Sequence, residues 1–141
     1  HVAKCKEHDK VVFLHLDLIK GFSRDAVSLK YLKETVKADG VISTKVTLLK
    51  EAKNEGFFII QRLFMLDSTS FKNSIHAAKS LRPDIVELMP GIMPKIIART
   101  CQEIQVPVIA SGLIDEKEEV IICLKAGATS VSTTKQELWY V

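Results

Sequence analysis

Short apolar, β-branched runs alternate along this chain with longer stretches in which apolar residues recur every three or four positions. The runs are Val11–Leu16, Gly40–Ser43, Phe57–Gln61, Asp84–Leu88, Val106–Ala110 and Ala128–Ser132. Several are apolar at nearly every position, the pattern of strands covered on both faces of a parallel sheet. Strands alternating with helices imply βαβ units. Turn chemistry marks the boundaries. Asp115-x-x-Glu118 reads as a capping box, with Asp in place of Ser or Thr, opening a helix over Asp115–Ala126; Gly127 suits the position just past its end. Pro94 stands just inside a helix over Met93–Glu103, and Gly56 closes the helix that precedes Phe57. Leu29, Leu32 and Val36 share one helical face, placed to cover the sheet.

The expected fold is α/β, a TIM-like (β/α) barrel with parallel strands. Six runs fall short of the eight strands that close such a barrel. The chain also opens in material resembling the end of a helix, so an N-terminal β-α segment is expected to be missing from it. An open, doubly wound sheet of six strands is the structural alternative. The 141 residues read as a single domain, 1–141, N-terminally incomplete, with enough apolar content for a substantial core.

Composition narrows the function classes only a little. A formal net charge of +3 is weak evidence for nucleic-acid binding. No stretch reaches the roughly 18 consecutive apolar residues of a membrane span, and His1–Lys10 is too polar for a signal peptide. Three cysteines, Cys5, Cys101 and Cys123, lack metal-ligand spacing. Cys101 and Cys123 fall in helix-patterned segments and read as buried free thiols, which suits a reducing cytoplasm. No P-loop, CxxC pair, zinc ligand set or nucleophile elbow occurs, so no cofactor, metal or dedicated catalytic set is expected.

The candidate chemistry lies at the C-terminal end of each strand. The first run leads to Asp17 and Lys20, the second to Thr44 and Lys45, and the third to Arg62. The fourth carries Glu87 and runs on to Gly91; the fifth and sixth end in Ser111-Gly112-Leu113 and Ser132-Thr133-Thr134. In a parallel barrel all these ends meet on one face, where ligand sites are built. Charges are costly to bury alone, so their convergence implies either a ligand or mutual ion pairing of Asp17 or Glu87 with Lys45 or Arg62. Ser111-Gly112-Leu113 and Ser132-Thr133-Thr134, on consecutive strands, suit a phosphate group: Gly112 permits close backbone approach and the hydroxyls donate to phosphate oxygens. Helix dipoles near Asp115 and after Ser132 would add to this, while Asp115 as a cap would set a carboxylate close to the anion.

Other polar residues have plainer readings. His15, inside an apolar run, reads as a hydrogen-bonded core histidine, and His76 as a surface residue. Met65, Met89 and Met93 read as core fillers. Lys72, Lys79, Arg82, Lys95 and Arg99 form a basic stripe over neighbouring helices, which solvated helix faces explain as well as RNA would.

Six segments in order carry a family resemblance. They are Val12-Phe-Leu-His-Leu-Asp-Leu-Ile-Lys-Gly21, Gly40-Val-Ile-Ser-Thr-Lys45, Ile60-Gln-Arg-Leu-Phe64, Pro83-Asp-Ile-Val-Glu-Leu-Met-Pro-Gly91, Ile109-Ala-Ser-Gly-Leu-Ile114 and Ser130-Val-Ser-Thr-Thr134. Together they resemble the glycerol uptake operon antiterminator regulatory family across essentially the whole chain. The resemblance implies a TIM-barrel-like regulator of the bacterial cytoplasm, not an enzyme. It would respond to glycerol 3-phosphate and act on leader mRNA to oppose premature termination before glycerol uptake and utilisation genes, with a homo-oligomer as one form it could take. It places the phosphate on Ser111, Gly112, Leu113, Ser132, Thr133 and Thr134, and the polyol near Asp17, Lys20, Lys45, Arg62, Glu87 and Gly91. Ser111 departs from the pattern, since a second glycine is expected there.

Two other classes compete. One is a phosphosugar isomerase or glycerol-phosphate transferase on the same scaffold, with Asp17 or Glu87 as base and Lys45 or Lys20 as acid or electrophile. The other is a degenerate barrel that binds a protein partner.

Overall fold

The computed structural model describes residues 1–23 and 25–140. After a short helix α1 (Val2–Lys6), the elements are β1 (Phe13–His15), a 3-10 turn (Leu16–Leu18), α2 (Ala26–Glu34), β2 (Gly40–Ser43) and α3 (Val46–Asn54). Then come β3 (Phe58–Phe64), α4 (Ser68–Leu81), β4 (Ile85–Met89), α5 (Pro94–Glu103), β5 (Val108–Ser111), α6 (Lys117–Lys125) and β6 (Ser130–Ser132), with a closing 3-10 turn, Gln136–Tyr140. Strand order matches chain order from β1 to β6. The βαβ alternation read from the apolar runs is the one observed.

The chain forms two compact units, His1–Gln61 and Arg62–Val141. In the first, β1, β2 and the start of β3 pair in parallel, with Phe13 opposite Gly40 and Gly40 opposite Phe58. Leu29 and Leu32 of α2, Val41, Leu48 and Leu49 of α3, and Ile59 are buried. Full burial of one such side chain contributes about 1.5–3 kcal/mol. Asp25 caps α2 by accepting from the Ser28 N–H at 2.8 Å, but α2 ends at Glu34. Val36 therefore lies past the helix, with its N–H on the Tyr31 carbonyl at 3.2 Å, and only part of the expected face is helical. Gly56 ends α3 at φ +76, and its carbonyl accepts from the Lys33 ammonium.

In the second unit, β4, β5 and β6 pair in parallel. A single apolar cluster joins Val86 and Leu88 of β4, Val108 and Ala110 of β5, Ile75 and Ala78 of α4, Ile97 of α5 and Cys123 of α6. Asp67 and Ser70 form a reciprocal capping box at the start of α4, and Pro94 occupies the first position of α5. Gly127 lies just past α6 at φ +110. The start of α6 differs from expectation: Glu116 is its cap, and Glu119, not Glu118, returns its carboxylate to the preceding N–H groups. Cys123 is buried and Cys101 half-buried. Burial raises both thiols above their ordinary value.

Candidate functional site

The second unit carries a cavity at the C-terminal ends of its strands. Its volume is about 290 Å³, and it is lined by Arg62, Met89, Ser111, Gly112, Leu113, Ile114, Asp115, Ser132, Thr133 and Thr134. That lies near the small end of ligand pockets, which span about 300–1,000 Å³. Both loops singled out for phosphate line it, as does Arg62.

The β5 loop is shaped by its backbone. Gly112 adopts φ +82 and Leu113 φ +60. A Cβ at Gly112 would stand 2.8 Å from the Met89 methyl, the movable end of a flexible side chain, so it is the left-handed backbone that favours glycine here. Gly91 does not line the cavity but sets the loop from behind. Its N–H donates to the Gly112 carbonyl at 3.0 Å, and a Cβ there would meet the Ser111 nitrogen at 2.9 Å. Leu113 holds a left-handed conformation that costs an L-residue about 1–2 kcal/mol, and the residue is 66% exposed. Neither strand packing nor core burial accounts for that conformation.

Thr133 joins the two loops. Its hydroxyl donates to the Ile114 carbonyl at 2.9 Å and accepts from the Lys135 N–H at 3.1 Å. The Trp139 indole N–H donates to the Thr133 carbonyl at 3.0 Å. The Thr133 hydroxyl proton is thus already committed, and the residue acts as a brace in place of the donor expected of it. Ser111 is buried, and Ser132 and Thr134 are exposed at the mouth.

Arg62 supplies the positive charge lining the cavity. Its Nε donates to Glu87 Oε2 at 2.6 Å, with side chains 17% and 4% exposed. A buried carboxylate that holds one edge of a guanidinium fixes the plane of the whole group. Glu87 therefore works through Arg62, from behind the cavity wall.

The two helix N-termini expected near the cavity differ in what they offer. The Glu119 carboxylate accepts from the N–H groups of Asp115 at 2.8 Å and Glu116 at 3.0 Å, so the start of α6 is capped by its own side chain. The element after Ser132 is the five-residue 3-10 turn Gln136–Tyr140, too short to build a macrodipole. Asp115 lines the cavity, as expected of a helix cap, although Glu116 is the cap.

Asp17, Lys20 and Lys45 belong to the first unit, and none lines this cavity. Asp17 accepts from the Ser43 hydroxyl at 2.8 Å, the Thr44 N–H at 2.8 Å and the Thr44 hydroxyl at 2.9 Å. His15 Nε2 stands 3.6 Å away, so this half-buried histidine borders a carboxylate at the strand end. Burial raises the Asp17 carboxyl, but the bonds from Thr44 and Ser43 outweigh it and hold it below the ordinary carboxylate value. Lys45 caps α3 and donates its N–H to the Ser43 hydroxyl at 3.0 Å; Lys20 is exposed. Met89 and Ile114 line the cavity although the polar pattern of the strand ends does not point to them. The one signal for Ile114 is its place directly after Ser111-Gly112-Leu113. Among the described residues no group of three or more His, Cys, Asp or Glu side chains is placed to hold a metal ion, and no helix is long and apolar enough to cross a membrane.

Fold and site together define a (β/α) protein of the TIM-like class with a small, partly polar cavity at its strand ends. The chain belongs to the glycerol-3-phosphate responsive antiterminator family, whose model matches residues 1–139. It is similar to the glycerol uptake operon antiterminator regulatory protein of Listeria monocytogenes, with 35% identity, a TM-score of 0.92, and 99% of this chain matched to 75% of that one. A glycerol uptake operon antiterminator-related protein of Thermotoga maritima matches with 32% identity and a TM-score of 0.89, over 100% of this chain and 80% of that one. The Escherichia coli protein YgcP is 41% identical over 98% of this chain and 72% of its own length. The aldolase QR15, 18% identical with a TM-score of 0.74 over 93% of this chain and 72% of that one, shares the fold.

Proposed function

We propose that this chain binds glycerol 3-phosphate in the strand-end cavity and acts in the bacterial cytoplasm as a regulator, opposing premature termination in the leader mRNA of glycerol uptake and utilisation genes. The observation that carries the reading is the meeting of Ser111–Leu113, Ser132–Thr134 and the Arg62 guanidinium around one small cavity, in a chain of this family. The phosphate sits against the two loops with Arg62 as its counter-charge, and Ser111, Ser132 and Thr134 offer hydroxyls. The glycerol end takes the remaining polar wall.

Two observations favour a regulator over an enzyme. Glu87 is tied to Arg62 at 2.6 Å, and Asp17 accepts from three donors that stabilise its charged form and weaken it as a base. A regulator needs only that the ligand bind one arrangement of loop or oligomer more tightly than another. Calorimetric titration with glycerol 3-phosphate, with glycerol and inorganic phosphate as controls, tests the effector assignment. Selective binding lost in Ser111→Asp supports it. Turnover of a phosphosugar panel that Glu87→Gln abolishes would replace it with the enzyme reading.

A further inference from the structure

A second surface of the same unit holds the chain's excess charge. Helices α4 and α5 carry Lys72, Lys79, Lys95 and Arg99 against one carboxylate, Glu103. That excess equals the net charge of the whole chain, +3, so all other residues are collectively neutral. Elsewhere the signs mix: α2 pairs Lys30 with Glu34 at 3.8 Å, and the first turn of α6 is acidic.

Two of the four cations line one groove, and Arg99 stacks on Phe71, which also lines it. Lys72, His76 and Lys79 recur at steps of four and three along one face of α4, and with Glu103 they line a groove of about 240 Å³ between the two helices. Arg99 lays its guanidinium 4.4 Å from the Phe71 ring centroid, and Lys95 lies one turn before Arg99 on α5. Lys79 is held by Glu103 at 2.7 Å. All four cations are exposed. A predominantly cationic stripe of this kind concentrates a polyanion, as evenly interspersed charges do not.

We infer that the α4–α5 face is the surface that receives the phosphodiester backbone of RNA, through Lys72, Lys95 and Arg99, with Glu103 withholding Lys79. The choice of RNA among polyanions rests on the antiterminator reading. The contacts are to phosphates, so they set affinity and register without reading bases.

The test is anisotropy of a labelled terminator-type RNA hairpin with a 3′ uridine tract, titrated over a range of salt with and without glycerol 3-phosphate. Each phosphate contact contributes about 0.7–0.9 to the salt slope, so the wild type is expected near 2–3. Lys72→Gln/Lys95→Gln/Arg99→Gln should lose roughly tenfold or more in affinity and most of that slope. Neutralising α6 with Lys117→Gln/Lys125→Gln should change neither. Glu103→Gln, which frees Lys79 and removes a repelling carboxylate, should bind RNA several-fold more tightly, a gain that misfolding cannot produce. Calorimetry with glycerol 3-phosphate on each variant reports the ligand site separately. If the triple variant binds RNA as the wild type does, or Glu103→Gln gains nothing, the surface is wrong and the antiterminator reading stands. If the wild type binds glycerol 3-phosphate but no RNA even at low salt, both the surface and the RNA part of that reading fall.

Discussion

At the residue scale the site depends on a few atoms already in use. Thr133 is the clearest, since one hydroxyl ties the β5 loop to the β6 loop and receives the Lys135 N–H. Thr133→Val keeps the shape but removes both bonds, and should lower stability by about 1–2 kcal/mol. Glycerol 3-phosphate affinity should fall with it, because the loops lose their registration. Urea unfolding and calorimetry on one preparation check both; unchanged affinity would show that the brace does not serve the cavity. Asp17 allows a pH prediction. Its carboxyl is held below the ordinary value, so its contribution is complete above the unfolded-state value and lost as pH falls through the folded one. Asp17→Asn should flatten the acid side of the stability curve while lowering stability at neutral pH. An acid limb as steep as the wild type's would show that the Ser43 and Thr44 bonds do not govern it.

At the scale of elements, the Arg62–Glu87 pair links β3 to β4 beneath the cavity. Removing one member of a buried pair strands the other charge, at a cost of about 3–5 kcal/mol. Arg62→Met should therefore destabilise the protein by that order and abolish ligand binding. Arg62→Met/Glu87→Leu should recover most of the stability and none of the binding. This separates the structural part of the pair from its electrostatic part. Recovery of glycerol 3-phosphate binding in the double variant would remove Arg62 from the site. The elements themselves are mostly legible in the sequence, because their signals are local. β2 matches its apolar run, and Pro94, Gly56 and Gly127 mark the helix ends where expected. Where pattern and structure differ, two local signals compete. Asp115 and Glu116 both precede an acidic residue by three positions, and the helix starts one residue later than the first of these signals, with Glu116 as cap. Val36 fits the apolar face of α2, but the helix stops before reaching it.

At the scale of the whole molecule, the effector must stabilise whatever fold it binds. A ligand at one hundred times its Kd adds about 2.7 kcal/mol, so glycerol 3-phosphate should raise Tm in a concentration-dependent way while glycerol does not. Linkage adds a stricter test. If glycerol 3-phosphate changes RNA affinity by some factor, RNA must change glycerol 3-phosphate affinity by the same factor. Unequal factors measured in one buffer would rule out a simple coupling between the two sites.

The residues alone determined the repeating β-α order, the parallel sheet, the family, and the choice of Ser111-Gly112-Leu113 and Ser132-Thr133-Thr134, two loops that line one cavity. All are written in periodicity, turn residues and short motifs, which act over a few positions. Tertiary structure decided how the polar strand ends divide. Arg62 joins the two loops with Glu87 behind it, while Asp17 is closed off by Ser43 and Thr44. Such partnerships depend on which side chains distant segments bring within about 3 Å of each other. No spacing along the chain encodes that distance.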